Sequence, residues 1–347
     1  MKLTVIICTL QRPGALARLL ESLEAQSVQP DQLIVVDASA DHGTQKVVQE
    51  YARRSRTKVD YYRTERGLTR QRNFGLARAE GEVIGFLDDD VVLEKDYLAE
   101  ILKPFQADRT GRVGGATGYI LAEQSRRSWG RRLLGELRAR IHGPRCLAQH
   151  YGIRLIPREP FTGLIPVRYV SGCNMFFRRE VFARERFNEW FKGYGLGEDR
   201  EFGLRVARHW QVVAVGGARL RHLHELAGRC AYRKLGRMSV ENPVRVLAVA
   251  RQRHLYPHGF MLMLRQFLGT CITGLMLLGR GRLRAALTHV FGGLEGVVAA
   301  ARFVLGPCPC PGPVRCDGKG DKHAGKRARL ADQPGPDKPA GPKGRNA

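Results

Sequence analysis

The chain opens on Leu3–Thr9, an apolar run too continuous for a strand with one wet face. Such a run predicts a parallel strand covered on both sides. Pro13 then starts a helix whose apolar positions, Leu16, Leu19, Leu20 and Leu23, recur at helical spacing. The alternation repeats: a strand over 33–37, a helix over 43–54, a strand over 59–62, a helix over 69–79 and a strand over 83–87. This βαβαβαβ order predicts an α/β fold with a doubly wound, mostly parallel sheet. Ligands of such sheets bind outside the carboxyl ends of the strands. Thr9, Asp37 and Asp88-Asp89-Asp90 stand at those ends.

Further along, the pattern predicts a helix from Asp96 to about Phe105 and a Gly-rich strand over 113–121. Residues 123–168 are less regular and rich in arginine. A strand-turn-strand passage around Gly172 follows at 169–177. Then come a helix over 198–208, strands over 212–215 and 219–223, and a long basic helix over 229–254. Two apolar segments, 260–278 and 283–305, come last. The second has apolar residues at 283, 287, 290, 294, 297, 301 and 304, with Arg284, Thr288, Glu295 and Arg302 opposite. Neither is a clean run of about 20 apolar residues. The basic connection Gly279-Arg280-Gly281-Arg282 and the charged flanks predict in-plane or re-entrant amphipathic helices on an anionic leaflet. The competing expectation is two helices of an ordinary soluble core or a dimer interface.

Composition narrows the class. Of 347 residues, 43% are hydrophobic and 26% charged, which excludes a wholly disordered chain and a polytopic membrane protein. The net charge of +25 calls for an anionic partner: nucleic acid, an anionic membrane surface or a phosphorylated substrate. The stretch from Gly306 onward holds eight of the 17 prolines and almost no large apolar residues, so it is expected to be a disordered tail. Cys308, Cys310 and Cys316 lie in it at no common zinc spacing and are expected to be free thiols. Cys8, Cys173 and Cys271 sit in apolar runs and read as small buried hydrophobes. No disulfide framework is suggested, which predicts a reducing compartment. The first apolar run is too short for a secretory leader, and Arg12-Pro13 ends it.

Three consecutive carboxylates, Asp88-Asp89-Asp90, repel one another unless a divalent cation or donor groups compensate. Hard oxygen ligands suit Mg²⁺ or Mn²⁺, which keep coordination positions open for phosphate oxygens. A solvated acidic turn before the next helix explains the triplet equally well. Asp37, at a strand end, can accept a hydrogen bond from a base or a ribose hydroxyl, or merely cap a turn. Arg70 and Arg72 begin the helix before the acidic strand and suit phosphates, the acidic cluster or plain surface charge. Gly197-Glu198-Asp199 opens a helix, where acids favour the macrodipole. One of them is also placed to be a general base. His222 and His224 follow a strand, and a histidine sharing a site with Asp90 completes a metal shell.

Taken together, these features resemble the inverting family-2 glycosyltransferases, which have the GT-A (nucleotide-diphospho-sugar transferase) fold. The resemblance rests on Thr-Val-Ile-Ile-Cys-Thr (4–9), Val-Val-Asp37-Ala-Ser, Arg70-Gln-Arg72-Asn73-Phe-Gly75, Gly-Phe-Leu-Asp88-Asp89-Asp90, the passage from Gly172 through Asn174 to Glu180, and Gly197-Glu198-Asp199. These elements come in the family's order over residues 1–225. The resemblance implies a GT-A domain over 1–225, with a nucleotide-sugar half (1–122) and an acceptor half (123–225). C-terminal helices over 226–305 and the tail, 306–347, lie outside it.

Roles follow from the resemblance. Thr9 and Asp37, with Arg70 or Arg72 nearby, would hold the nucleotide. Asp88 and Asp89 would contact ribose and donor sugar. Asp90, an element of the Asp-x-Asp motif, would bind Mg²⁺ or Mn²⁺ with His222. Asp199 would be the base and Glu198 would orient the site. Gly172 and Asn174 would line the acceptor side. Partners would be a UDP-, dTDP- or GDP-linked sugar, a glycan or lipid-linked acceptor of polysaccharide biosynthesis, and an anionic membrane surface. The expected place is the inner face of the plasma membrane, with the enzyme peripheral and cytoplasmic. Gln252-Arg253-His254 lacks the Gln-x-x-Arg-Trp element of processive synthases, which predicts transfer of single sugars. Gln11 stands where many members have Asn. The alternatives are a basic nucleic-acid-binding protein, which the motif order disfavours, and a retaining or inactive GT-A scaffold.

Overall fold

In the computed structural model, four parallel strands form one half of a nine-stranded sheet. They are β1 (Leu3–Thr9), β2 (Gln32–Asp37), β3 (Lys58–Arg63) and β4 (Val83–Asp88). The structure describes residues 1–121, 136–138, 140–141, 156–157, 159–225, 231–251 and 257–305. The arginine-rich stretch 123–168 therefore lies largely outside the described residues, and residues 252–254 and the 306–347 tail with its cysteines lie wholly outside them.

The parallel strands lie in the order β3-β2-β1-β4, each pair in continuous register. Their connections are α1 (Pro13–Glu24), α2 (Gly43–Arg54) and α3 (Leu68–Leu76). Leu16, Leu19, Leu20 and Leu23 of α1 are all buried, together with Val5 and Ile7 of β1. The other sheet face is covered by Phe86, Phe177, Phe187 and Phe202, whose rings stack or meet edge to face. β1, β2 and β4 thus have an apolar layer on both sides, which is why each reads as a continuous apolar run.

The second half of the sheet is mixed. β5 (Val91–Leu93), β6 (Val113–Ile120), β7 (Leu164–Val167), β8 (Asn174–Arg178) and β9 (Gln211–His222) extend the order as β4-β8-β6-β9-β5, with β7 also on β9. β8 runs antiparallel to both β4 and β6. The expected strands 212–215 and 219–223 are one strand. β9 pairs with β6 on both sides of Gly216-Gly217, with a register shift there instead of a turn. The expected passage at 169–177 yields a single strand, β8, preceded by a turn with an isolated bridge between Ser171 and Asn174.

α4 (Tyr97–Ala107) packs on β9, and α5 (Glu198–Val206) carries the second acidic motif. α6 (Tyr232–Arg251), α7 (His258–Leu278) and α8 (Leu283–Leu305) form a bundle whose apolar core takes in Phe191 and Leu204 of the body. It joins the body where Asn242 Nδ2 of α6 donates to the Leu196 carbonyl just before α5. Only the end of the apolar stripe expected on α8 turns inward, with Val304 buried and Val297 and Ala301 packed on the same core, and small residues form most of the seam. These are Ala286, Gly292, Gly293, Gly296 and Ala300, while Leu283, Leu287 and Leu294 face outward. A Cβ on Gly292 would stand 1.9 Å from the Arg233 carbonyl oxygen of α6, so the two backbones touch.

Candidate active site

The carboxyl ends of β1 and β4 open into a cavity of ≈ 300 Å³. Thr9, Arg12, Asp88, Asp89, Asp90, Gly172, Glu198, Asp199, His222 and Glu225 are among its lining residues. The parallel register sets Thr9 opposite Asp37 and Cys8 opposite Asp88, so the acidic residues meet at one edge of the sheet.

The acidic triplet is only partly compensated. Thr9 Oγ1 donates to Asp89 Oδ2 at 2.7 Å, and Arg12 Nη1 donates to Asp89 Oδ1 at 2.9 Å. Arg12 also stands 3.6 Å from Asp90. His222 Nε2 lies 3.0 Å from Asp90 Oδ1, and the Glu225 amide donates to Asp90 Oδ2. Burial pushes the Asp88 carboxyl up to about 6; Arg72 opposes this, and the neighbouring aspartates add to it. Burial likewise raises Asp89 against the pull of Arg12. Asp90 goes the other way: burial works to raise it, but the hydrogen bond and charge of His222 outweigh that and lower it. Burial also works to lower His222, yet the bonds to Asp90 and Cys173 push it up to about 10.

Asp88, Asp90 and His222 each offer one ligand atom, all within 4.8 Å of one another. Two carboxylates and an imidazole suit Mn²⁺ or Mg²⁺. A surplus of buried acid whose pKa is already raised is what such a cation relieves. Asp88 thus joins the cluster for which Asp90 and His222 were expected.

The second wall is the start of α5. Gly197 caps it at φ 89°, a left-handed conformation that glycine adopts freely. Asp199 Oδ2 accepts from the Gly172 amide at 2.9 Å, and its Oδ1 accepts from the Arg200 amide at 2.8 Å. A Cβ at 172 would lie 3.2 Å from Asp199 Oδ2, tighter than most such contacts, so a side chain there would push the carboxylate by a few tenths of an ångström. Glu198 is buried and ion-paired to Arg72, with its Oε2 unpartnered. Burial pushes its carboxyl up to about 8, with Arg72 opposing.

The other expected residues are placed differently. Arg70 points outward, ion-paired to Glu65 and Glu189. Arg72 is buried among protein groups and does not offer a free guanidinium to a phosphate. Asp37 is fully buried; it accepts from the Tyr61 hydroxyl and the Ser39 amide and holds the loop after β2. Asn174 does not line the acceptor side. Its Oδ1 accepts from Tyr97, Thr117 and the Gly118 amide, which fixes β8 beneath the cavity. Gln11 sits at φ 55°, a backbone conformation that Asn tolerates better than Gln, and its amide donates to Ser39 Oγ. Sequence reasoning missed Arg12, although a basic residue just past the end of β1 was its signal. It also missed Gln71, whose amide joins the Thr9 and Val36 carbonyls.

A parallel half-sheet ending in paired acids, backed by a mixed half that delivers a second acidic helix, defines the GT-A glycosyltransferase class. Residues 4–185 match the family model for glycosyl transferase family 2. The chain belongs to that family. It is 30% identical over 105 residues to the GalNAc(5)-diNAcBac-PP-undecaprenol beta-1,3-glucosyltransferase of Campylobacter jejuni, covering 29% of this chain and 34% of that one. It is 34% identical over 94 residues to a Bacillus subtilis protein named for teichuronic acid biosynthesis, TuaG, covering 27% and 36%. The matches thus span about a third of these relatives' lengths. Among solved structures, the mannosyltransferase PcManGT of Pyrobaculum calidifontis, in complex with GDP-Man and Mn²⁺, superposes with a TM-score of 0.50 at 17% identity, over 88% of this chain and 87% of that one.

Proposed function

We propose that this chain transfers a single sugar from a nucleotide-sugar donor to a glycan or lipid-linked acceptor, with inversion and with the help of Mg²⁺ or Mn²⁺, in cell-envelope polysaccharide synthesis. One observation carries the reading: Asp199 and the Asp88, Asp90 and His222 cluster line the same cavity from different elements. The names of the Campylobacter jejuni and Bacillus subtilis relatives support the substrate class.

In this reading Asp88, Asp90 and His222 hold the cation, which when bound neutralises charge developing on the diphosphate leaving group. Thr9 and Arg12 fix Asp89 at the donor edge of the cavity. Asp199 takes the proton from the acceptor hydroxyl. The acceptor oxygen then bonds to the anomeric carbon as the bond from that carbon to the phosphate oxygen breaks, and its electron pair leaves on the diphosphate. The Gly172 and Arg200 amides hold the Asp199 carboxylate in place while it waits for that proton. The domain division at 225 and the acceptor role of Gly172 belong to the same proposal.

The C-terminal bundle supports action at the cytoplasmic face of an anionic membrane. α7 and α8 are long and apolar enough to cross a membrane; α8 buries mainly small residues, and the two helices together expose Leu264, Leu268, Leu275, Leu287, Phe291 and Val298. Small residues inside and large ones outside are what helices facing hydrocarbon show. Arg280, Arg282, Arg284 and Arg302 lie beside this face, as anionic headgroups require.

The test is a panel of UDP-, dTDP- and GDP-sugars screened for cation-dependent protection against thermal unfolding, followed by determining the anomeric configuration of the product by NMR. Protection and turnover with none of them refutes the transfer. A product that keeps the donor's configuration refutes the inversion.

A further inference from the structure

Arg72 is buried, on the inner side of α3, and its guanidinium reaches three groups from three parts of the chain. Nη1 donates to Glu198 Oε1 at the start of α5. Nη2 donates to the Gly172 carbonyl at 2.9 Å and stands 3.5 Å from Asp88 Oδ1 at the end of β4. The Phe187 ring packs 5.3 Å from the guanidinium carbon. Gly172 in turn donates its amide to Asp199 Oδ2, and Asp199 is the next residue after Glu198.

These contacts close a ring: Arg72 to Glu198, along the chain to Asp199, across to Gly172, and back to Arg72. Asp88 hangs on the same guanidinium. The acid that begins the cation cluster and the turn that carries Asp199 are thereby referenced to one buried cation. A buried ion pair is seldom a net stabiliser compared with a well-packed apolar pair of similar size. Its contribution here is geometric, since a planar fork meets several acceptors at fixed angles where an ammonium meets one point.

We propose that Arg72 is a positioning residue that sets the Asp199 carboxylate in register with Asp88 through Glu198 and Gly172, and not a nucleotide ligand. The proposal deepens the transferase reading of this cavity and rests on it for the role of Asp199.

The experiment uses the full chain with Arg72→Lys and the double variant Arg72→Met/Glu198→Leu. Each is measured by thermal unfolding, by amide hydrogen exchange at Gly172, and by turnover of the UDP-, dTDP- or GDP-sugar that the wild type accepts. In Arg72→Lys, exchange at the Gly172 amide rises about tenfold or more. There kcat falls roughly a hundredfold, the cost of a misplacement of about 1 Å, while donor KM stays within about threefold. In the double variant, which removes the buried Arg72–Glu198 pair together and leaves only the partly exposed Asp88 without its cation, the unfolding temperature returns toward the wild-type value. Exchange and kcat do not recover, because Gly172 and Asp88 still lack their donor. The proposal is overturned by unchanged exchange in both variants, or by recovery of exchange and kcat together in the double variant. It is also overturned by a donor KM raised more than about tenfold with kcat kept, the mark of a lost nucleotide contact. Failure of both variants to fold overturns it too, since a positioning ring is dispensable to the fold. If the wild type turns over none of the sugars, the transferase reading falls, and exchange at Gly172 still decides whether the ring exists.

Discussion

Cation binding at the Asp88, Asp90 and His222 cluster must expel a proton. The imidazole can ligate only when neutral, yet its bond to Asp90 and its contact with Cys173 outweigh burial and hold its pKa at about 10, against an ordinary 6.5. At pH 7 the neutral form is therefore about a thousandfold rarer than the charged one. Mn²⁺ affinity should rise about tenfold per pH unit from 6.5 to 8.5, with one proton released per ion. Asp88, raised to about 6, adds a second proton only below that pH, where the dependence should steepen. Calorimetric titration of Mn²⁺ into the protein, in two buffers of different ionisation enthalpy, counts these protons directly. In His222→Gln the count at pH 7.5 should fall to about zero. The reasoning is refuted if the wild type releases no proton at pH 7.5, or if His222→Gln keeps the same slope. The sign for the cation-free fold follows from the same shift. A histidine raised on folding contributes stability that is full below pH 6.5 and is lost as the pH rises toward about 10, on the order of a few kcal/mol.

Three further outcomes follow from the geometry. Asp199→Asn should lower kcat by about 10²–10⁴ while leaving cation-dependent nucleotide protection in thermal unfolding intact, because it removes the proposed base and nothing on the donor side. Gly292→Ala places a methyl 1.9 Å from the Arg233 carbonyl, so α6 and α8 must separate; denaturant unfolding should show a loss of about 1–3 kcal/mol. Leu268→Glu/Phe291→Glu should abolish flotation with anionic phosphatidylglycerol vesicles and leave the unfolding temperature unchanged, since both side chains are about half exposed. Equal flotation of this variant and the wild type sinks the membrane reading, and a shift from dimer to monomer in light scattering without lipid marks the face as a contact between copies.

Legibility in the sequence followed the range of the forces involved. β1, β2 and β4 are wrapped in apolar layers, so each declares itself as an apolar run, and those of β1 and β4 end in residues that line the cavity. β5 and β7, three and four residues long, owe their strand character to pairing with β9, a contact that local pattern does not encode. Gly216-Gly217 reads locally as a turn, yet the pairing of β9 with β6 carries the strand across it. The two arginines of α3 show the same limit at the scale of the site. Two residues apart on a helix they diverge by about 200° and cannot both face one cavity. Arg72 shares its face with Gly75 and Leu76, which are buried, while Arg70 turns to Glu65 and Glu189 in solvent. Helical phase alone therefore separates the two, and it assigns Arg72 to the interior before any partner is known. What phase cannot supply is the partner itself. Glu198 lies 126 residues away, and only the closing of the sheet brings its carboxylate to a buried guanidinium that meets it and Gly172 together.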